Sequence, residues 1–141
     1  MQYKQLIVIR ITVSPSQLDE NIKETVFNLI KEKYQQTLFK TFYISEILET
    51  SFSSHGKINN DGSVTYLVNT DCIIVNPTIG NSYSLVITHN NKLGFMHKSD
   101  LVTIFVPKQY TNRNLAINEE VTINIVGKRV EERIVCVGTI E

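Results

Sequence analysis

Side chains able to do acid–base, nucleophilic or metal chemistry are few in this chain, and they are scattered. The carboxylate pairs Glu119-Glu120 and Glu131-Glu132 are adjacent in sequence. Neighbouring side chains on a strand point to opposite faces, so neither pair can work as an acid–base couple, and both read as solvated strand ends. His55, His89 and His97 lie in separate turns and strands with no nucleophile in a recognisable arrangement. No glycine-rich phosphate loop precedes a helix. Cys72 and Cys136 each sit inside an apolar, strand-like run and read as buried reduced thiols, with a disulfide or a metal site as the alternative. Neither Cys-x-x-Cys nor paired-histidine spacing supports zinc. The expectation is a chain with no catalytic residue, no metal site and no cofactor.

Binding chemistry is better represented. The C-terminal half interleaves aromatic and basic residues: Phe95, His97 and Lys98, then Phe105, then Lys108, Tyr110 and Arg113. Aromatics that stack bases beside cations that meet phosphates are what a single-stranded nucleic acid requires. On a strand Phe95 and His97 share one face, and Met96 and Lys98 the other. Phe105 reads as core beside Ile104 or Val106, Phe95 as either core or surface, and Tyr110 and Arg113 as exposed RNA candidates. Charge limits the strength of any such contact. The 141 residues carry 14 basic and 14 acidic side chains; residues 1–76 hold 7 and 8, and residues 77–141 hold 7 and 6. Without a strong positive field, contact with nucleic acid must be weak, local or helped by a partner.

The elements that must position these residues follow from periodicity. Gln5 to Val13 alternates, with Ile7, Ile9, Ile11 and Val13 on one face, as in a strand covered on one side. Ser14-Pro15-Ser16-Gln17 carries a capping box and an early proline, and Leu18, Ile22, Val26, Leu29 and Ile30 share a helical face, which predicts a helix over Ser16 to Tyr34. Strand character returns over Thr37 to Thr50 and Ser63 to Val75, and Asp61-Gly62 marks a tight turn. The run Asp71 to Gly80 organises the chain. Its Ile- and Val-rich part reads as a buried strand that must stop at Pro77, which has no amide hydrogen to give a sheet. Beyond it, Tyr83 to Thr88, Leu93 to Lys98, Val102 to Pro107, Glu120 to Gly127 and Arg133 to Ile140 read as five strands. The predicted fold is an α+β domain over residues 1–76, an antiparallel sheet with one helix. An all-β, OB-type five-stranded barrel follows over residues 77–141. No apolar run is long enough to span a bilayer, and the chain reads as intracellular.

Taken in order, Leu18-x-x-x-Ile22, Gly56-Lys57-Ile58, Cys72-Ile73-Ile74-Val75-Asn76-Pro77-x-x-Gly80, Gly94-Phe95, Ile104-Phe105-Val106 and Val137-Gly138-Thr139-Ile140 cover nearly the whole chain. This series resembles the seventh-subunit family of multisubunit DNA-dependent RNA polymerases, which includes the E-type stalk proteins of archaea. The chain departs from the family's usual pattern at Asn81, where glutamate is common, and at Ser99-Asp100, where Gly-Pro is common. Its connection from Pro107 to Glu119 is also shorter. A compact copy rich in Ile and Asn fits an AT-rich viral or plasmid genome. Gly94-Phe95-Met96-His97-x-Ser99 also matches the Gly-Leu-Val-His-x-Ser motif of another RNA-binding barrel, but the stalk-family register sets the third strand later, at Val102 to Val106.

The resemblance implies a non-catalytic stalk subunit acting in transcription. Its first domain, the tip, would dock on the polymerase core at the clamp through His55, Gly56, Lys57, Ile58, Asn60, Asp61 and Gly62. Its S1-like barrel would stand near exiting RNA, with Phe95, His97, Lys98, Lys108, Tyr110 and Arg113 as RNA-binding candidates. The implied partners are the polymerase core subunits, a fourth-subunit-like (archaeal F-like) companion and weakly held nascent RNA, with no membrane. The implied location is nucleus, cytoplasm or virion. Exposed Val8, Leu67 or Ile79 would be a sign of the companion. Two other readings stand beside this one: a free-standing OB-fold RNA-binding protein, and a structural adaptor that binds protein alone.

Overall fold

A computed structural model describes residues 1–99, 101–111 and 113–140. Asp100, part of the departure from the family pattern noted above, lies outside them. Among the described residues the chain is mostly β with one α-helix, and it separates into two compact units. One comprises Gln2–Phe39 and Tyr43–Val75; the other comprises Met1, Lys40–Phe42 and Asn76–Glu141.

In the first unit, β1 (Gln2–Val13) alternates as its sequence demands, with Ile9, Ile11 and Val13 buried and Leu6, Val8, Arg10 and Thr12 exposed. It pairs antiparallel along its full length with β5 (Val64–Val75). Strand β3 (Phe42–Phe52) lines the other side of β5, followed at the edge by β2 (Thr37–Phe39), while the short β4 (Lys57–Ile58) pairs with the start of β5. The helix α1 spans Ile22–Tyr34 and drives Val26 and Ile30 into a core with Ile44, Ile47, Val68, Cys72 and Ile74. Each fully buried aliphatic side chain of this kind contributes about 1.5–3 kcal/mol.

The helix begins later than its sequence predicts. The Ser14 capping box forms, with the Ser14 amide donating to Gln17 Oε1 at 3.3 Å, and the Gln17 amide closes the turn on the Ser14 carbonyl at 3.0 Å. It caps only one 3-10 turn, Pro15–Gln17, because Leu18 is extended. Leu18 is thus outside the helix and exposed. Asp19 then restarts the chain: its Oδ1 accepts the Asn21 amide at 3.0 Å and the Thr25 hydroxyl at 3.3 Å. A carboxylate there satisfies donors that the first helical turn leaves open.

The second unit is built on one six-stranded sheet: β6 (Ser82–Val86), β7 (His89–Asn91), β8 (Gly94–Lys98), β9 (Val102–Pro107), β10 (Glu120–Val130) and β11 (Ile134–Thr139). Its order is β6-β10-β11-β9-β8-β7. All neighbours are antiparallel except β9 and β11, which run parallel. The two edges, β6 and β7, are separated by only Ile87 and Thr88, so the sheet curls. At that bend the Ile87 amide donates to Glu119 O at 2.9 Å and the Thr88 amide to Met96 O at 2.9 Å, so partners change within two residues. The single strand predicted over Tyr83 to Thr88 ends at Val86, and a further short strand, β7, forms just beyond it at His89–Asn91, so the expected five strands become six. Ile87, Phe95, Val102, Ile104, Val106, Leu115, Val121, Ile123, Ile125, Ile134 and Cys136 form the core. The chain on either side of Pro77 is tied to β10. Gly80 N–H donates to Ile125 O at 2.8 Å, and Lys128 Nζ donates to Asn76 Oδ1 at 2.7 Å.

Among the described residues no helix is long and apolar enough to cross a membrane.

Candidate functional site

The tip candidates occupy a hairpin of the first unit. Asn59 N–H donates to Ser63 O at 2.8 Å and Gly62 N–H to Asn59 O at 3.0 Å, which defines a three-residue loop. Gly62, at φ +86°, takes the left-handed position that closes such a loop, a conformation that costs any side chain with a Cβ. Asp61 Oδ1 accepts both the Ser63 amide at 3.0 Å and the Ser63 hydroxyl at 2.6 Å. Those two bonds hold its carboxyl below the usual aspartate range. Asn59 Nδ2 donates to Ser63 Oγ at 3.0 Å and to Thr65 Oγ1 at 2.9 Å. The hairpin is locked by its own polar groups. Gly56 is required for a different reason: a Cβ there would stand 2.5 Å from Val64 Cγ1 and 2.6 Å from Tyr66 Cε1. Tyr66 in turn packs on Phe52, ring centroids 4.8 Å apart. His55, Lys57 and Ile58 are exposed, Ile58 at 76%.

The RNA candidates lie in the second unit and divide into three groups. Phe95 is 2% exposed and is core. Its neighbour on the same face, His97, also turns inward: its Nδ1 lies 2.7 Å from the Val86 carbonyl, which can only accept, so Nδ1 carries the hydrogen. His97 thereby ties β8 to the end of β6 at the bend, and Phe95 has no face to offer a base. The RNA assignment of Phe95 is corrected on that ground. Lys98 is exposed at the far end of β8, paired with Thr103. Lys108, Tyr110 and Arg113 follow β9. Lys108 N–H donates to Leu93 O at 3.1 Å, which joins this stretch to the β7–β8 turn, where Leu93 is 75% exposed. Tyr110 is also exposed, whereas the Arg113 guanidinium is engaged with Glu119 Oε1 at 3.2 Å. Lys98 lies four residues along β8 from Gly94, about 13 Å from the Lys108 end, so the two lysines do not share a site.

Phe105 is also corrected. Val102, Ile104 and Val106 are buried and Phe105 is partly exposed, so it lies on the opposite face from the core. It pairs with Met96 on β8 and Val137 on β11, a row of partly exposed apolar side chains. Lys92 and Leu93 in the β7–β8 turn were missed by sequence reasoning. The signal for them was Asn90-Asn91, which marks a turn and hence an exposed tip.

Cys72 and Cys136 are buried free thiols. Burial pushes both up from the ordinary thiol value; the nearby Asp71 charge adds to the effect at Cys72, and Lys128 opposes it at Cys136. Lys128 itself is lowered by burial, partly offset by Cys136 and Tyr83. Among the described residues no group of three His, Cys, Asp or Glu side chains could hold a metal ion. Val8 and Leu67 are exposed on the sheet face of the first unit, and Ile79 is exposed in the second. No family model matches the chain, and no curated protein is detectably similar to it.

Proposed function

We propose that this chain is a non-catalytic stalk subunit of a multisubunit DNA-dependent RNA polymerase. Its β4–β5 hairpin docks on the polymerase core, and its second unit, an OB-type barrel of the S1-like kind, stands near exiting RNA. The observation that carries the reading is the strand order of the second sheet. If β6 and β7 are counted as one bent strand, the order is 1-4-5-3-2-1, with the third and fifth strands parallel, as expected of an OB barrel. An antiparallel sheet with a single helix precedes it, which agrees with the motif series along the chain.

In OB barrels, oligonucleotides lie across strands 2 and 3 and the loops joining strands 1 to 2 and 4 to 5. Here those strands are β8 and β9. The outward residues Met96 and Phe105, together with Lys92, Leu93, Lys108 and Tyr110, make the RNA surface on this reading. Outward Phe105 also favours a second reading, a free-standing RNA-binding protein. The two differ in affinity: balanced charge leaves the isolated chain a weak binder, so only the second requires tight binding alone at physiological salt.

The test is recovery of the tagged chain from its native host. Large polymerase subunits are expected with the intact chain and are expected to be lost when Asn59 to Gly62 is deleted. If those subunits never accompany the intact chain, the stalk reading is wrong. If the deletion leaves recovery unchanged, tip docking at this hairpin is wrong.

A further inference from the structure

We infer that the outer face of the first unit's sheet carries a binding groove for a phosphate group, formed by Arg10, His55 and Lys57. This holds whether or not the chain docks on a polymerase. The groove has a volume of about 580 Å³, and Thr12, Ser54, Asn59, Thr65 and Leu67 complete its lining.

Register explains why these residues meet. Thr12 on β1 pairs with Thr65 on β5, and Thr65 pairs on its other side with Lys57 on β4. The three form one row across three strands, on the face opposite Ile11 and Val13. Arg10 lies one two-residue step along β1, opposite Leu67. Arg10 and Lys57 are thus about 12 Å apart at Cα, two strand spacings and one step, and both border the same groove from opposite sides.

Charge and donors point to an oxyanion. No carboxylate lines the groove. Neither Arg10 nor Lys57 has an ion-pair partner among the described residues. Two unpaired cations held on one sheet face repel each other and are relieved by an anion between them. The rest of the lining is rich in donors: the His55 ring and the Ser54 and Thr12 hydroxyls. Thr12 and Thr65 are held in place by their own contact at 3.0 Å, with Asn59 Nδ2 donating to Thr65 at 2.9 Å. A phosphate, with more acceptor oxygens than a carboxylate, uses such a set more fully, and arginine suits it by forming two parallel bonds. The comparable polar groove of the second unit, lined by Ser84, Arg113, Glu120 and Thr122, lacks this character. It contains a carboxylate, and its arginine is already paired.

The experiment uses the full chain, followed by two-dimensional amide NMR during titration with inorganic phosphate, with a ten-residue oligouridylate, and with polyglutamate. Saturable shifts are expected at Arg10, Thr12, Ser54, His55 and Lys57. Binding should fall at least tenfold in Arg10→Gln and in Lys57→Gln, both exposed positions whose substitution leaves the unfolding transition in place. For the oligonucleotide, two neutralised phosphates give a slope of log K against log salt near about −1.4, falling by about 0.7 in each variant. Tighter binding of oligouridylate than of phosphate identifies a nucleic-acid backbone as the source. Equal binding identifies a free phosphate or nucleotide. The inference is overturned if neither phosphate probe shifts these residues, if the shifts survive both substitutions, or if polyglutamate binds as well as the phosphate probes, which would make this a surface for an acidic protein.

Discussion

Phe95 and Phe105 sit ten residues apart on paired strands, yet they face opposite ways, and substituting them separates core from interface. Phe95 is 2% exposed, so Phe95→Ala removes a buried ring and leaves a cavity, a cost of about 3–5 kcal/mol. A unit of this size has about 3–10 kcal/mol of stability in total, from 0.05–0.15 kcal/mol per residue. The change therefore removes a large share of it or all of it. Phe95→Leu keeps most of the volume and costs up to about 1.5 kcal/mol, which leaves a folded protein to measure. Phe105, mostly but not fully buried on the outer face, loses only part of a full burial energy in Phe105→Ala, about 1–2 kcal/mol. Urea unfolding read by hydrogen exchange and mass spectrometry, with peptides from β8, β9 and β11 followed separately, gives each value for the second unit alone. On the stalk-subunit reading proposed above, Phe105→Ala should weaken RNA cross-linking to the second unit in the assembled complex, and Phe95→Leu should leave it unchanged. Equal destabilisation by the two alanine variants would refute the face assignment, and so would a cost below about 1 kcal/mol for Phe95→Ala.

Two further outcomes follow from local chemistry. The Asp61 carboxyl has its pKa lowered by the Ser63 bonds, so its contribution to the hairpin is complete above about pH 4, the unfolded value, and disappears as pH falls through the lower folded value. Amide exchange at Asn59 to Ser63 should quicken in that acid range in the native chain, and Asp61→Asn should abolish the dependence. The thiols of Cys72 and Cys136, buried and raised in pKa, should react with a thiol reagent at pH 7.5 only after unfolding. Rapid labelling of the folded protein would contradict their burial.

What the sequence revealed depended on how local the cause was. Strand β1 was legible because one covered face imposes strict alternation from Ile7 to Val13. The hairpin was legible because Asp61-Gly62 fixes backbone geometry by itself. The helix start was misread: Ser14 and Gln17 do form their box, but Leu18 extends, and Asp19, which accepts the Asn21 amide, offers a second local start that competes with the first. The bend at Ile87–Thr88 left no trace, since Tyr83, Leu85 and Ile87 keep one alternation straight through it. What changes there is the partner strand, a non-local matter. Phe105 is the opposite case. With Ile104 and Val106 both apolar, strand alternation already put Phe105 on the other face, and an aromatic flanked by β-branched residues was assigned to the core for its type instead of its position. At the candidate interface, Lys108 and Leu93 are joined by a single backbone bond between stretches fifteen residues apart, which no spacing rule anticipates.

The hairpin has two chemically different sides. Lys57 and Ile58 are consecutive on β4, so they face opposite ways: Lys57 borders the cationic groove, while Ile58, 76% exposed, is an apolar side chain at the sheet's end. The polar groups between them are bonded to one another, Asp61 to Ser63 and Asn59 to Thr65, and so have little left to give a partner. A partner protein gripping this hairpin therefore gains mainly from apolar area at Ile58 and from a loop already held in one conformation, whose ordering costs little on binding. An anion gains from the other side, from Arg10 and Lys57. Protein docking and phosphate binding, as proposed, thus share His55 and Lys57 and differ in Arg10 on β1, so substituting Arg10 tests the second without touching the hairpin proposed for the first.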